Sequence, residues 1–332
     1  MRARTTFLLP LALAALVATA CGESGSSGTG GGDEGDSTQA SGEACAPVAG
    51  DQLVVLEDDK QLQNADNIIP AVNADAAAAN PALLETLNAV SEVLTTDDLI
   101  EMNAAVDVER QPAEDVASAY VEEQDLGSGV SGGSGAVVVG AADFTESQVL
   151  ANVYADVLTA AGFDASVQTV GNRELYLPAL QRGEIQAFPE YLATLTEFIE
   201  GNEDTEVASG DVDETVQALT PLAEGYGLVV GEPAEAADQN AFAVTQEFAD
   251  ELGVSTLSEL ADACGDGSLS LGGPGECPTR AACQPGLEDT YGLEFDSFQE
   301  YDAGGPLTKA AIQQGEVSIG LVFSSDGALA QG

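Results

Sequence analysis

The chain has 332 residues, with 57 acidic and 8 basic side chains and no histidine, and its formal net charge is −49. Such a charge excludes nucleic acids and acidic lipids as expected partners. The absence of histidine removes most acid–base and triad chemistry near neutral pH and most zinc sites, so no metal or cofactor is expected. A substrate-attracting field is one interpretation of the charge, but a solvated surface suited to a salty exterior is favoured.

The N-terminus has the pattern of a secretion signal. Two arginines precede an apolar run over residues 7–20, which is short for a membrane span. Ala-Thr-Ala-Cys at residues 18–21 resembles a bacterial lipoprotein cleavage site with Cys21 as the lipidated residue, whereas an ordinary secretion signal would leave Cys21 as a free thiol. A Gly/Ser-rich tether follows and favours lipidation. We therefore expect a signal peptide over 1–20, a lipidated cysteine and tether over 21–50, and an extracytoplasmic protein anchored to the outer face of the cell membrane.

Four further cysteines form an even set, which is compatible with disulfides outside the cell. Cys277 and Cys283 are close in sequence and are expected to pair, which would leave Cys45 to pair with Cys264. Four cysteines allow three connectivities, so the sequence leaves the other two open.

The chain between residues 51 and 126 is predicted to contain two strands followed by three helices. The strands are expected at 52–57 and 68–72. The helix starts are marked by proline or capping signals at Asn80-Pro81, at Thr95 with Asp98, and at Pro112. Residues 127–135 have the composition of a flexible Gly/Ser linker.

Residues 136–194 alternate strand and helix, which predicts a parallel sheet. Strands are expected at 136–140, 165–170 and 184–188. Thr145 with Gln148 resembles a capping box at the start of the first helix, and Gly162 is placed to end it. Ligands of such a sheet bind beyond the carboxyl ends of its strands, which here are 142–145, 171–173 and 189–194.

A second α/β block follows a polar crossover at 231–240. Before the crossover, helices are expected at 195–201 and 212–224 and a strand at 228–230. After it, Thr256 with Glu259 forms a capping box. The remaining elements are predicted strands at 241–244, 269–271, 295–300 and 317–323, and a helix at 308–314.

Several short motifs together resemble those of one family. They are Asp143-Phe144-Thr145-Glu146, Gly171-Asn172-Arg173-Glu174, Gly183-Glu184-Ile185, Pro189-Glu190-Tyr191, Gly272-Gly273-Pro274 through Arg280, Asp302-Ala303-Gly304-Gly305-Pro306, Ser324-Ser325-Asp326-Gly327, and the run from Leu53 to Lys60. The chain resembles the substrate-binding proteins of ABC importers for glycine betaine, carnitine and choline over nearly all of 51–332. The resemblance implies an α/β fold, the periplasmic-binding-protein type II fold, with two Rossmann-like lobes and a hinge.

The order of these segments differs from that of the family. There, the segment resembling 321–331 runs directly into the one resembling 52–72, so the resemblance implies a circular permutation joined at the Gly/Ser linker. The expected organisation begins with an arm of the second lobe and a hinge (51–65), followed by the helical part of the first lobe (66–126). The linker (127–135), the α/β part of the first lobe (136–232) and the second lobe (233–332) complete the chain.

The resemblance also implies ligand contacts in a cleft between the lobes. The family holds quaternary ammonium groups in a box of aromatic faces. Tyr191 matches one wall of the box, Thr194 a neighbouring polar contact, and Phe323 a wall that is normally tyrosine. Asn240 and Asp66 stand where the family often has tyrosine, and Asp66 could instead be a counter-charge for a cationic ligand, whether quaternary or primary amine.

Arg280 matches the carboxylate-binding arginine of the family, and Arg173 is a weaker candidate for the same role. Thr145 is expected at least to cap a helix, and Phe144 is expected in the core. The structural alternatives are ordinary packing for Tyr191, a surface ion pair for Arg280, hinge-region caps for Asn240 and Asp66, and a structural role for Arg173, which is favoured.

These contacts predict a solute-binding lipoprotein that captures a small zwitterionic or cationic osmoprotectant and delivers it to an ABC permease and its ATPase. A monomer without enzymatic activity is expected. The alternatives are a secreted enzyme, disfavoured by the missing histidine, and a sensory surface lipoprotein on the same scaffold.

Overall fold

A computed structural model describes residues 45–201, 207–265, 268–275 and 277–331. The expected signal peptide, Cys21 and most of the tether lie outside the described residues. Among the described residues, none of the helices combines the length and the apolar character that a membrane span requires.

The first of two five-stranded sheets belongs to the first lobe, with strand order β4-β3-β5-β2-β6. Its strands are β2 (Ile68–Asn73), β3 (Ala136–Ala141), β4 (Asp164–Thr169), β5 (Ala187–Tyr191) and β6 (Leu228–Val230). β3, β4 and β5 are parallel, as the sequence predicts, whereas β2 runs antiparallel to both of its neighbours. Apolar side chains cover both faces of this sheet.

Helices of the first lobe pack on both faces of the sheet. They are α1 (Ala74–Ala79), α2 (Ala82–Ser91), α3 (Thr96–Asp107), α4 (Ala113–Glu123), α5 (Thr145–Ala161), α6 (Arg173–Gln181), α7 (Leu192–Glu200) and α8 (Val212–Tyr226). The apolar face predicted for α5 is buried from Val149 to Leu158. The helix ends at Gly162, whose φ of 108° is left-handed and favours glycine.

The second sheet forms the second lobe, with strand order β1-β7-β10-β8-β9. Its strands are β1 (Leu53–Leu56), β7 (Asn240–Thr245), β8 (Leu269–Gly273), β9 (Phe295–Glu300) and β10 (Ile319–Phe323). β1 pairs antiparallel with β7, so the N-terminal arm donates an edge strand to the distant lobe. A disulfide joins Cys45 to Cys264 and fixes the same arm.

Shorter helices surround the second sheet. They are α9 (Gln246–Leu252), α10 (Leu257–Cys264), α11 (Gln284–Gly286), which continues into a π-helical turn over Leu287–Tyr291, and α12 (Pro306–Gln313). The second disulfide joins Cys277 to Cys283, so the structure contains the expected connectivity of both bridges.

Two of the three predicted capping boxes are present, at Thr95 with Asp98 and at Thr256 with Glu259. The third prediction was wrong. Thr145 is the first residue of α5 and donates its hydroxyl hydrogen bond to Asp107 of α3, at 2.7 Å, instead of capping its own helix.

The third predicted strand also begins later than expected, at Ala187 instead of residue 184, and it continues through Pro189 to Tyr191. Helix α1 was not predicted.

The chain crosses between the two sheets over residues 57–67 and 231–239. The crossovers run side by side, because Ile68 N donates to Ala236 O at 2.8 Å and Asp238 N donates to Asp66 O at 3.2 Å. These segments include those expected as the hinge, and they border the space between the lobes.

Candidate functional site

A cleft of about 610 Å³ lies between the lobes. Residues that follow the carboxyl ends of β3, β4 and β5 line one side of it, and the second lobe and the crossovers line the rest. Seven of the eight ligand contacts expected from the sequence face this one cleft: Asp66, Arg173, Tyr191, Thr194, Asn240, Arg280 and Phe323. Concave sites of this size are suited to small molecules.

Tyr191 ends β5 and lines the cleft with a ring that is only 7% exposed. Its hydroxyl donates to Glu146 Oε1 at 2.7 Å. Burial raises the pKa of Glu146, whereas its hydrogen bonds with Ser325, Tyr191 and Asn103 act to lower that pKa. Tyr191 therefore contributes to the interior of the first lobe as well as to the wall of the cleft.

Phe144 corrects another expectation from the sequence. It was expected in the core, but its side chain is 45% exposed and lines the cleft. Its ring centroid lies 6.2 Å from that of Tyr191, at an angle of 36°. The two rings therefore form one aromatic corner of the cleft.

Asp66 accepts hydrogen bonds from the Thr194 backbone N–H at 2.9 Å and from the Thr194 hydroxyl. It thus satisfies a free N–H in the first turn of α7, and it also faces the cleft. Burial raises the pKa of Asp66 from 3.8 to about 6. Between pH 3.8 and about 6 the folded chain therefore keeps a proton on Asp66 that the unfolded chain has lost. The contribution of this group to the free energy of unfolding consequently decreases as pH rises through this range.

Arg173 forms a salt bridge with Glu190, with Nη2 and Oε2 2.9 Å apart. Glu190 is fully buried on β5. Burial alone would lower the pKa of Arg173, but the charge of Glu190 outweighs it and raises that pKa. Glu190 accepts from Nε and Nη2 of Arg173, and this pairing favours the structural alternative for this residue.

Arg280 has a different environment from that of Arg173. It is exposed, it lines the cleft, and within the described residues no acidic group forms an ion pair with it. The surface ion pair considered from the sequence is therefore absent from this part of the chain. Cys277 and Cys283 bracket the turn that carries Arg280, and Cys283 N donates to Arg280 O at 3.0 Å. The disulfide therefore fixes the turn that presents this guanidinium to the cleft.

Asn240 and Phe323 stand at adjacent strand positions, at the start of β7 and the end of β10. Asn240 donates its side-chain amide to Gln63 Oε1 at 3.3 Å, across the two crossovers. Phe323 is 36% exposed. Thr145, by contrast, lies outside this cleft and lines a neighbouring cavity of about 320 Å³.

Asp238 was missed by the sequence analysis. It lies on the second crossover and lines both cavities, together with Phe144, Ala303 and Phe323. Burial and the neighbouring charge of Glu146 raise its pKa well above 3.8. With 57 acidic residues in the chain, an aspartate in a polar crossover carries no distinguishing sequence signal. In the described ranges no cluster of metal-binding side chains occurs.

The chain is similar to several known proteins. A family model described as the substrate binding domain of ABC-type glycine betaine transport system matches residues 46–123 and 135–331. The glycine-betaine-binding protein of Pseudomonas aeruginosa is 28% identical over 201 residues, which is 58% of this chain and 62% of that relative. The aligned region thus spans less than two thirds of the relative's length.

A solved structure of a glycine betaine/carnitine/choline ABC transporter aligns with a TM-score of 0.46 and 20% identity. The alignment covers 59% of this chain and 70% of the other.

Proposed function

Because the chain belongs to the family of substrate-binding domains of ABC-type glycine betaine transport systems, we propose that it captures a small zwitterionic or cationic osmoprotectant in its cleft. It then delivers this solute to an ABC permease that works with an ATPase. Members of the family bind substrates for transport, and this chain acts in the same way as a monomer without enzymatic activity. Glycine betaine, carnitine, choline and related compounds are the leading ligands.

The distribution of charge in the cleft carries this proposal. Arg280 of the second lobe presents a guanidinium that is free of ion pairs within the described residues. Carboxylates of the first lobe and the crossovers, including Asp66 and Asp238, face the same space. A zwitterion with separated charges can satisfy both groups at once. A ligand that contacts both lobes would favour their closed arrangement, since it binds that arrangement better.

The experiment is calorimetric titration of glycine betaine, carnitine and choline into the wild-type protein and an Arg280→Gln variant. A charge-assisted hydrogen bond contributes about 1.5–3 kcal/mol, so betaine and carnitine affinity should fall at least about tenfold. Choline has no carboxylate and should lose much less.

Arg182→Gln is the matched control. Arg182 is exposed and pairs with its neighbour Glu184, and it does not line the cleft. Absence of binding by every compound in the panel would remove this ligand class. Equal losses for betaine and choline in the Arg280→Gln variant would contradict the role given to Arg280.

The proposal includes a location. The protein is extracytoplasmic and is held at the outer face of the cell membrane by a lipid on Cys21, which lies outside the described residues. The signal-like run over residues 7–20 and the tether after Cys21 support this location. Fractionation of cells that express a Cys21→Ser variant tests it, because a variant that remains membrane-bound would exclude the anchor.

The proposal also includes a circular permutation within the family. The family model matches two segments separated by residues 124–134, which contain most of the Gly/Ser linker. The pairing of β1 with β7 supports the same idea, since the first strand of the chain belongs to the sheet formed by its last third.

A further inference from the structure

The carboxylates around the cleft differ in how their oxygens are satisfied. Both oxygens of Asp66 accept from Thr194. Glu146 accepts from Tyr191 on one oxygen and from Asn103 on the other, at 2.7 and 2.8 Å. Glu190 is paired with Arg173.

Asp238 is the exception among these buried groups. Its Oδ1 has less than 1 Å² of accessible surface and no hydrogen-bond partner among the described residues. A buried acceptor without a donor is energetically unfavourable, and such atoms call for a partner that the protein itself does not supply. Asp238 lines the main cleft and the neighbouring cavity, so a ligand in either space lies beside this residue.

Apolar surface surrounds the same junction. Phe144 and Phe323, 45% and 36% exposed, line both cavities together with Asp238. Neither ring carries a hydroxyl that could donate to Oδ1. The junction thus offers aromatic surface for methyl groups and one acceptor that needs an N–H.

We propose that Asp238 binds the cationic group of the ligand and selects ammonium groups that retain an N–H over fully methylated ones. This inference rests on the proposed function, because it names the substrate class of the same cleft. A quaternary ammonium can contact the rings, but it has no proton to donate and leaves Oδ1 without a partner. A partly methylated amine satisfies the rings and the carboxylate together, while its carboxylate lies against Arg280.

The charges around Asp238 add a second signature. Burial raises its pKa most, and the charges of Glu146 of α5, Asp66 of the first crossover and Asp326 of the C-terminal segment raise it further. A hydrogen bond between the Ser325 side chain and the carboxyl group acts in the opposite direction. Lys309, which lines the neighbouring cavity, is engaged by Asp326. An incoming N–H cation therefore replaces a proton on this cluster, and its affinity should rise as pH increases toward neutrality.

The test is a methylation series that keeps the carboxylate constant: glycine, sarcosine, N,N-dimethylglycine and glycine betaine, each titrated by calorimetry at pH 5.5 and pH 7.5. N,N-dimethylglycine should bind at least about tenfold tighter than glycine betaine, the factor that corresponds to one unsatisfied buried acceptor. Its affinity should also be higher at the higher pH.

An Asp238→Asn variant should reduce the preference for N,N-dimethylglycine and flatten its pH dependence. Glu235→Gln is the matched control, because Glu235 is exposed on the same crossover and does not line the cleft. Should the Asp238→Asn variant fail to fold, the wild-type series alone decides.

Glycine betaine binding as tightly as N,N-dimethylglycine, or more tightly, would overturn the inference and leave the proposed function intact. The inference would also fail if Asp238→Asn preserved the wild-type ratio. Failure of the whole series and of choline to bind would instead reject the proposed function.

Discussion

Tyr191 contributes its ring to the cleft and its hydroxyl to the interior of the first lobe. The hydroxyl lies 2.7 Å from Glu146 Oε1, and both residues are buried. Replacing Tyr191 with alanine would therefore remove part of the cleft wall and would also leave a buried oxygen of Glu146 without its hydrogen-bond donor. The two contributions have to be separated before either is assigned to ligand binding.

Tyr191→Phe separates them. The variant keeps the ring and removes the donor, so the free energy of unfolding should fall by about 1–3 kcal/mol because Glu146 Oε1 loses its partner. Affinity for the cleft ligand should stay close to that of the wild type. Denaturant titration and calorimetric binding measure the two quantities.

Tyr226→Phe at the half-buried end of α8 serves as the control for loss of a tyrosine hydroxyl. A Tyr191→Phe variant with wild-type stability but much weaker binding would contradict this division of roles.

Single residues also show what the sequence could reveal. Arg280 was predictable because basic residues are rare in this chain and because its motif resembles that of the family. The place of Asp238 in the cleft was not, since its burial and its unsatisfied oxygen appear only in the folded chain. Phe144 was expected in the core, but it lines the cleft between the lobes. Its exposure depends on the second lobe, which local sequence does not describe.

At the level of elements, sequence signals predicted helix starts correctly where the capping partner is a few residues away in sequence. The capping boxes at Thr95 and Thr256 are closed by residues three positions later. The start of α5 is different, because Thr145 finds a partner in Asp107 while Ser147 Oγ accepts from Ala142 N at 2.8 Å. A contact with a helix 38 residues away is invisible to a capping rule.

Strand β5 shows the same limit of local rules. The strand was expected to end at residue 188, before Pro189, and proline cannot donate to a ladder. In the structure Pro189 lies opposite Pro70 of β2, so the strand continues beside a neighbour with the same restriction. The pairing of two distant segments, and not the local sequence, decides where β5 ends.

Removal of the two disulfides is expected to have different main effects, one on stability and the other on ligand binding. Cys45–Cys264 closes a separation of 219 residues and fixes β1 to the second lobe, whereas Cys277–Cys283 closes 6 residues around Arg280. In the chain-entropy account, longer loops give greater stabilisation, here roughly 5 against roughly 2 kcal/mol. Replacing Cys45 and Cys264 with alanine should therefore lower the melting temperature more.

Replacing Cys277 and Cys283 with alanine should have the larger effect on binding. Affinity for carboxylate ligands should fall because the Arg280 turn loses its constraint, while choline affinity changes little. Thermal melts and calorimetric titrations of both double variants measure the changes in stability and in affinity. Each double variant is the control for the other. Equal losses of betaine affinity in the two variants would show that the short disulfide does not position Arg280.

At the scale of the whole molecule, the sequence predicted two α/β lobes and the return of the first strand to the second lobe. The parallel arrangement of β3, β4 and β5 followed from their spacing. The antiparallel strand within each sheet, β2 and β7, did not, because the partners of these strands lie far away in sequence, where short-range patterns carry no information. The cleft itself exists only once the lobes face each other.

The proposed permutation predicts that the two segments on either side of the linker can be exchanged in chain order without loss of the fold. A rearranged chain would begin at residue 136, run to 331, and continue through a Gly/Ser connection of about ten residues into residues 45–126. The short helix over Gly327–Gln331 packs beside β1, the first strand that follows the new connection. Every strand pair and both disulfides are retained, since the omitted residues 127–135 supply none of them.

We expect the rearranged chain to bind the same ligand with similar affinity and to unfold in one cooperative transition near that of the parent, as measured by calorimetry and thermal melting. A second version with a longer connection controls for strain at the join, because lengthening a flexible loop changes its closure entropy only slowly. If neither version folds, the linker contributes more than a covalent join. Loss of binding in a folded rearranged chain would mean that the cleft depends on the present order.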